Sequence, residues 1–273
     1  MLRDKLLARL SQTADPDYAA IAAEILGIRN APPALARRLV RQALVVEDRE
    51  AEWARAGERI VREAPAGPGV YVLRDADGQT LYVGKANNLR RRLRTHFAGR
   101  RWRAIKVEMA RAADAEWQEV GSELEALLRE ASLIRSLRPV ANVQVGEPAL
   151  ATRGVPRALV RDVIVVLPSV EADSAELVAA RADGGWLLQR TRRSGADLAV
   201  HGARLWRFFN SPLRHERAEE PALAPIVFSW LAHRGGRATR LDPHDAGSVR
   251  VLRARLAALL SDARLFEERL DQR

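Results

Sequence analysis

The spacing of apolar residues divides the chain into three stretches, and it predicts helices in the first of them. Apolar positions recur every three or four residues around Leu6, from Tyr18 to Leu26, from Leu35 to Val45 and, among charged residues, from Arg49 to Arg62. Such spacing places apolar side chains on one face of an amphipathic helix. We therefore predict a helical N-terminal region over residues 1–63.

The second stretch opens with a β-hairpin. Ala64–Pro68 contains two prolines, which lack an amide donor and disfavour helix in the residue before them, so a boundary falls there. The β-prone runs Gly69–Leu73 and Thr80–Gly84 follow, one on each side of Asp75–Gly78. Because an Asp-Gly pair suits the tight turn between antiparallel strands, this is the clearest hairpin signal in the chain.

Three helices and one further strand are predicted after the hairpin. The helices cover Asn88–Phe97, Ala104–Ala112 and Ser122–Leu137, and the strand covers Ala115–Val120. Ser122 and Glu125 form a capping-box pattern at the start of the long helix, and Pro139 follows its end. Residues 140–145 are expected to be extended, and a Gly- and Pro-containing linker over Val145–Pro156 closes a unit that we assign to residues 64–146.

The third stretch, residues 157–273, mixes strand and helix patterns. Strands are predicted over Val160–Leu167, Leu177–Ala182, Trp186–Thr191 and Ile226–Ala232, and helices over Ala196–Phe209 and Ser248–Leu270. These elements predict an α+β domain of about 115 residues, an ordinary domain size. Its role is not indicated by any motif.

Composition limits the chemistry. Cysteine is absent, so disulfides and thiolate metal sites are excluded, and a bound metal must use oxygen or imidazole ligands. No apolar run approaches the roughly 18 residues of a membrane span, and the first residues lack a signal-peptide core. We therefore expect a cytoplasmic protein without a membrane partner. The formal net charge of +10 favours polyanionic partners.

The positive charge is concentrated after the hairpin. The segment from Lys85 to Lys106 carries nine Lys or Arg residues and no Asp or Glu. Such a segment attracts phosphates, although it is also compatible with a solvated helix face in an arginine-rich chain. The arginines that we assign to contacts with a DNA backbone are Arg90, Arg91, Arg94, Arg100, Arg101 and Arg103.

Two of the chain's three tyrosines, Tyr71 and Tyr82, lie in the predicted hairpin. Strand pairing would bring both phenols to one face. A tyrosine ionises near pH 10, so a general base at neutral pH needs positive charge beside it. Lys85, three residues after Tyr82, is expected to supply that charge. The alternative interpretation is that both tyrosines pack as ordinary strand residues.

Taken together, the central unit resembles the GIY-YIG nuclease family, and within it the excision-repair nucleases UvrC and Cho. The resemblance covers about 75 residues. It rests on Gly69-Val-Tyr71, Tyr82-Val-Gly84, Lys85-Ala-Asn-Asn-Leu-Arg-Arg-Arg92, Glu125-Ala-Leu-Leu-Arg-Glu130 and Arg138-Pro-Val-Ala-Asn142. It implies an α+β fold, a small three-stranded sheet flanked by helices, here between a helical N-terminal region and a C-terminal α+β domain.

The resemblance also implies the chemistry, which is metal-dependent hydrolysis of a DNA phosphodiester. Tyr82 or Tyr71 would act as general base, with Lys85 beside them, and Arg92 would stabilise charge on the phosphate. Glu130 would bind one Mg²⁺ or Mn²⁺, and Asn142 would order the site. Which tyrosine takes the proton stays open, although the neighbouring lysine favours Tyr82. The lone His96 is more typical of a packing or surface residue.

The repair relatives further imply a single-strand incision in damaged duplex during nucleotide excision repair, with UvrB or another repair protein as partner. Two alternatives remain: a non-catalytic DNA-binding or assembly module, and a GIY-YIG nuclease of the restriction or mobile-element type. Aromatic residues of the C-terminal domain offer stacking surfaces for bases, but are more typical of a core. They are Trp186, Trp206, Phe208, Phe209 and Trp230.

Overall fold

The computed structural model describes residues 2–12, 15–98, 107–142, 155–211, 223–236 and 238–262. Its helices are α1 (Leu2–Leu10), α2 (Tyr18–Ile25), α3 (Pro33–Glu63), α4 (Leu89–Ala98), α5 (Glu123–Leu137), α6 (Leu198–Asn210), α7 (Ala224–His233) and α8 (Val249–Ser261). Its strands are β1 (Gly69–Arg74), β2 (Thr80–Ala86), β3 (Asp114–Glu119), β4 (Val163–Pro168), β5 (Ser174–Ala180), β6 (Trp186–Arg192) and β7 (Thr239–Leu241). The predicted α+β class is confirmed.

The N-terminal helices pack around a small core of their own, to which α1 contributes Leu6, α2 contributes Ile21 and α3 contributes Val40. Asp17 caps α2 by accepting hydrogen bonds from two backbone amides. The two helical patterns that we predicted between residues 35 and 62 belong to one continuous helix of 31 residues, α3.

The second half of α3 enters the core of the central unit. Ile60 and Ala64 are buried there, and the Trp53 indole donates a hydrogen bond to the Met109 carbonyl at 3.2 Å. A Cβ on Gly57 would lie 2.6 Å from the Phe97 ring, so only glycine allows α3 to approach α4 this closely. The helix therefore braces the central sheet.

That sheet is antiparallel, in the order β2-β1-β3. The predicted hairpin joins β1 to β2: Asp75 accepts backbone hydrogen bonds from Asp77 and Gln79, and Gly78 has a φ of +80°. The predicted strand over residues 115–120 is β3. Of the helix predicted over residues 104–112, the described part is a 3-10 helix, Val107–Arg111.

Helix α5 begins and ends at the predicted residues. The Ser122 hydroxyl accepts the Glu125 amide at 3.1 Å, and the Glu125 carboxylate returns to the Gly121 amide at 2.9 Å, one residue earlier than a capping box requires. Arg138, in the left-handed region with a φ of 47°, ends the helix before Pro139. One face of α5 packs on the central sheet, and the other enters the C-terminal domain through Leu124 and Leu128.

The C-terminal domain is an antiparallel sheet in the order β6-β5-β4-β7, covered on both faces. One face packs against α5 and α7, the other against α6 and α8. The predicted strand over Ile226–Ala232 is wrong, because these residues form α7. Its apolar positions Ala224, Val227, Phe228 and Leu231 recur at helical spacing and are buried.

The aromatic residues of this domain belong to its cores. Phe209 is fully buried, and Trp186, Trp206, Phe208 and Trp230 pack partly against the two apolar clusters. Within the described ranges, no helix is both long enough and apolar enough to cross a membrane.

Candidate active site

The two hairpin tyrosines lie side by side on one face of the central sheet. Tyr71 is paired in register with Gly84, and Leu73 with Tyr82, so alternation along the strands places both phenols on the same face. Their ring centroids are 6.0 Å apart. A Cβ on Gly84 would lie 2.6 Å from the Tyr71 hydroxyl and 2.7 Å from the Tyr82 ring. Glycine at this position therefore makes room for the pair.

Gly69 allows a second close approach. A Cβ there would lie 2.5 Å from the Gln118 carbonyl oxygen of β3 and 2.6 Å from the Leu89 side chain of α4. The helix that carries the basic residues is thus seated directly on the strand that carries Tyr71. This contact fixes the position of α4 relative to the two phenols.

Helix α4 adds a residue that was not among our predicted site residues, His96. Its ring is 3% exposed, and Nε2 lies 2.5 Å from the Tyr71 hydroxyl. Its centroid is 6.0 Å from that of Tyr82. The signal available in the sequence was the buried helical face formed with Leu89 and Leu93 at i, i+4 and i+7.

Arg92 also reaches the tyrosines from α4. Its guanidinium lies close enough to act on both phenols. Burial raises the pKa of Tyr71 and of Tyr82 above the ordinary value, and Arg92 opposes that rise. Tyr71 has no exposed surface, whereas Tyr82 is half-buried. Of the two phenols, Tyr82 is therefore the one that solvent or a substrate can meet.

Glu130 approaches the same group from α5. Burial raises the pKa of its carboxyl group, and the charge and backbone amide of Lys85 oppose the rise. Its negative charge in turn raises the pKa of Tyr82. Lys85 therefore acts on the pKa of Glu130. The charge that lowers the pKa of Tyr82 here is that of Arg92, while Lys85, three residues along the strand from Tyr82, faces the opposite side of the sheet.

Asn142 holds strand β2 in place. Its side-chain oxygen accepts the Val83 amide at 2.8 Å, and its side-chain nitrogen donates to the Val83 carbonyl at 2.9 Å. Ala141 continues this pairing with a backbone bond to Leu81 at 2.8 Å. Asn142 thus fixes the Val83 peptide next to Tyr82 rather than facing a phosphate. In this geometry it positions strand β2.

The predicted DNA contacts separate into three groups. Arg91 and Arg94 are exposed on α4 beside the site. Arg90 donates from Nε to the Ala64 carbonyl at 2.7 Å and so ties α4 to the end of α3. Three further arginines lie outside the described residues: Arg100, Arg101 and Arg103.

The donor set fits a hard divalent cation. Among the described residues no group of three or more His, Asp or Glu side chains is placed to hold a metal. A cation held by Glu130 would therefore have at most one further such ligand among the described side chains, and the chain has no thiolate. Mg²⁺ is commonly bound by one or two carboxylates, with water and phosphate oxygens completing its coordination. The site matches this preference of Mg²⁺, and it differs from structural zinc sites, in which four protein side chains bind the metal.

The family model described as the UvrC-like GIY-YIG domain matches residues 67–143. These residues form a UvrC-like GIY-YIG domain. All six predicted catalytic and metal-binding residues lie inside the match. The GIY-YIG domain therefore accounts for the hairpin, α4, β3 and α5, and leaves the N-terminal helices and the C-terminal domain outside it.

Curated relatives match about a third of the chain. UvrABC system protein C of Desulforudis audaxviator is 43% identical over 83 residues, which are 30% of this chain and 14% of that protein. The same protein of Nitrobacter winogradskyi is 47% identical over 90 residues, 32% of this chain and 13% of that protein. The chain thus spans about one seventh of the length of the relatives it matches.

Two solved structures are also similar to part of the chain. The N-terminal GIY-YIG endonuclease domain of UvrC from Thermotoga maritima, bound to its catalytic cation magnesium, is 32% identical. The alignment covers 32% of this chain and 94% of that domain, with a TM-score of 0.29. A variant of that domain, also bound to its catalytic divalent cation, is 32% identical over 31% of this chain and 92% of that domain, with a TM-score of 0.28.

Proposed function

We propose that the GIY-YIG domain makes this chain a metal-dependent DNA endonuclease that hydrolyses one phosphodiester bond at a time. The observation that carries the proposal is the meeting of a phenol, a guanidinium and a single carboxylate, Tyr82, Arg92 and Glu130, which act on one another's pKa. Phosphodiester hydrolysis needs a base for water and positive charge for the phosphate.

Each side chain has a distinct part in this reaction. Tyr82, the phenol with access to solvent, positions the attacking water and, in its ionised form, takes the proton of that water to become a neutral phenol. Arg92 donates hydrogen bonds to the scissile phosphate while its charge favours the ionised phenol. His96 contacts the Tyr71 hydroxyl and so helps to hold that ring beside Tyr82. Asn142 fixes the β2 backbone beneath them.

Glu130 is the residue that would hold a magnesium or manganese ion, which supplies charge to stabilise the phosphate and the leaving oxygen. The positive charge and backbone amide of Lys85 oppose the rise that burial causes in the pKa of this carboxyl group, and so favour the ionised form that binds a cation. Lys85 therefore acts through Glu130, and its loss is expected to weaken binding of the cation.

We further propose that the substrate is damaged duplex DNA and the process nucleotide excision repair, with UvrB or another repair protein as partner. The support is the likeness of residues 67–143 to UvrABC system protein C. A sequence-specific GIY-YIG nuclease of the restriction or mobile-element type would instead cut undamaged duplex at a fixed site. A non-catalytic module would bind DNA without cutting it.

The decisive experiment is nicking of a labelled duplex with a single bulky adduct, beside the same duplex undamaged. The full chain is compared with Glu130→Gln and with the control Glu58→Gln, an exposed carboxylate of α3. We expect nicking that needs Mg²⁺ or Mn²⁺, is lost in Glu130→Gln and is kept in Glu58→Gln. Preference for the adduct, or stimulation by UvrB, supports repair. Binding without cleavage under every condition overturns the proposed activity.

A further inference from the structure

Helices α6 and α8 of the C-terminal domain carry basic residues and no acidic ones. Each helix has thirteen residues, and neither contains Asp or Glu. Their arginines are Arg204, Arg207, Arg250, Arg253 and Arg255, and all five are exposed. Because acidic residues make up 35 of the chain's 273 residues, two whole neighbouring helices without one form an unusual surface.

The two helices lie side by side on one face of the C-terminal sheet, where Arg250 and Arg253 line one cavity and Arg204 lines another. They pack together over the same sheet face through Leu205 of α6 and Leu256 of α8. At their crossing, a Cβ on Gly202 would lie 2.4 Å from Cγ of Arg253, so the stem of that arginine crosses α6 directly. Arg250 and Arg253 line an open cavity of about 450 Å³ with the start of α6. We call Arg204, Arg207, Arg250 and Arg253 the α6/α8 face.

Several arginines of the C-terminal domain lie beside carboxylates, and those of the α6/α8 face do not. Arg161, Arg181 and Arg190 each lie within 4.0 Å of a carboxylate. Arg255, on α8, pairs with Asp245 at 3.5 Å. Across the part of the chain that the structure describes, no carboxylate lies within that distance of any of the four arginines of the α6/α8 face.

Four guanidinium groups on two neighbouring helices, without a carboxylate partner among the described residues, create a local positive potential that folding alone does not require. Guanidinium groups bind phosphate oxygens through paired hydrogen bonds, and a row of them on a helix layer suits a polymer of phosphates better than an isolated anion. Helices α5 and α7 cover the opposite face of the sheet. Among the described residues, that face has no comparable layer of arginines.

We propose that the α6/α8 face is a DNA-binding surface that contacts the phosphate backbone without reading sequence. It lies on the far side of the C-terminal sheet from α5, the helix that carries Glu130. DNA on the α6/α8 face would therefore be bound in addition to the strand that is cut at the active site. This inference rests on the proposed function only in taking DNA as the polyanion, since the contact itself requires neither cleavage nor metal.

The test is DNA binding by the full chain without divalent cation, measured by fluorescence anisotropy on two unrelated duplexes of about 40 base pairs over a range of salt concentrations. The test variant is Arg204→Gln, Arg207→Gln, Arg250→Gln and Arg253→Gln combined. The control combines Arg9→Gln, Arg62→Gln, Arg161→Gln and Arg255→Gln, which removes four charges as well, each from an arginine beside a carboxylate.

We expect the test variant to bind both duplexes roughly tenfold or more weakly at about 0.1 M salt. Its slope of log affinity against log salt should fall by about 0.9 for each phosphate that is no longer neutralised, so by up to about 3.6. The control should change both quantities far less. Equal changes in the two variants overturn the proposal, and so does wild-type binding by the test variant, which would assign the face to an acidic protein.

The same preparations separate this inference from the proposed activity. Glu130→Gln abolishes nicking if the proposed function holds, and it leaves DNA binding by the α6/α8 face unchanged. If wild-type protein does not nick but the test variant still binds DNA more weakly, the surface is real and the nuclease assignment fails. If nicking depends on Glu130 and the test variant binds like the control, the surface fails alone.

Discussion

Replacing Arg190 with methionine tests how the nuclease helix is fastened to the C-terminal domain. Arg190 lies on β6, and its Nε is 2.7 Å from the Glu176 carboxylate of β5. The same guanidinium lies 3.6 Å from Glu125 of α5. Glu125 and Glu176 are 0% and 1% exposed. Arg190 thus places its charge between two buried carboxylates, one from each side of the junction.

The size of the effect follows from what remains after the substitution. Removing one partner of a buried ion pair typically costs about 3–5 kcal/mol, because the other charge stays buried. Here Arg129 still lies 2.7 Å from Glu125, and the Ser169 hydroxyl still donates to Glu176 at 2.8 Å. We therefore expect Arg190→Met to lower the free energy of unfolding by about 2–3 kcal/mol near pH 7.5. For a protein of this size that is a fall in Tm of about 4–12 °C.

The loss of stability should depend on pH with a definite sign. Burial and the nearby charge of Glu125 already raise the pKa of Glu176, and Arg190 opposes them. Without Arg190 the pKa rises further. A carboxyl group whose folded pKa is raised contributes stability below its unfolded pKa and loses it as pH rises through the folded one. The deficit of Arg190→Met is therefore largest near pH 8 and shrinks toward about pH 5.

Thermal unfolding followed by circular dichroism at the two pH values measures this prediction. The matched control is Arg161→Met, whose partner Asp242 lies 3.7 Å away at an exposed site. An exposed pair contributes about 0–1 kcal/mol, so the control should shift Tm slightly and equally at both pH values. Equal losses for Arg190→Met and Arg161→Met, or a deficit for Arg190→Met that grows toward pH 5, would refute the reasoning.

Two further predictions concern the hairpin. Gly84→Ala places a methyl group 2.6 Å from the Tyr71 hydroxyl and should lower the nicking rate about a hundredfold, while Gly247→Ala, with no atom within 4 Å, leaves it unchanged. Asn142→Ala removes both hydrogen bonds to the Val83 peptide and should cost about 2–4 kcal/mol in urea unfolding. Wild-type stability in this last variant would show that solvent replaces the side chain.

The parts of the fold that the sequence predicts well have local causes. The Asp-Gly turn sets the β1–β2 hairpin, and Ser122 and Pro139 bracket α5, because each signal acts within a few residues. The apolar pattern divides α3 in two because the middle of this helix is charged rather than apolar. Charged residues are good helix formers, so the change in polarity marks no break.

The misassigned helix α7 shows the limit of propensity. Ile226, Val227, Phe228 and Trp230 are β-branched or aromatic residues, which favour strands in short runs. The helix forms because Pro225 starts it and burial follows helical spacing against α5 and the sheet. Tertiary packing therefore decided the structure of a segment whose own preference is weak.

The site shows the same division between local and long-range information. Tyr71, Tyr82 and Arg92 were predicted from motif spacing and are brought together. The pairing of Lys85 with Glu130 and of His96 with Tyr71 depends on where α5 and α4 sit on the sheet. Spacing along one strand cannot supply that information, because it does not show that Lys85 lies beside Glu130.

The physical unit that supports catalysis is larger than the matched motif. Helix α3 belongs both to the N-terminal core, through Val40, and to the nuclease core, through Ile60. Helix α5 carries Glu130 on one side, while Leu124 and Leu128 on another are buried in the C-terminal domain. A displacement at either junction is transmitted along a rigid helix. The geometry around Glu130 therefore depends on the C-terminal domain as well as on the residues that meet at the site.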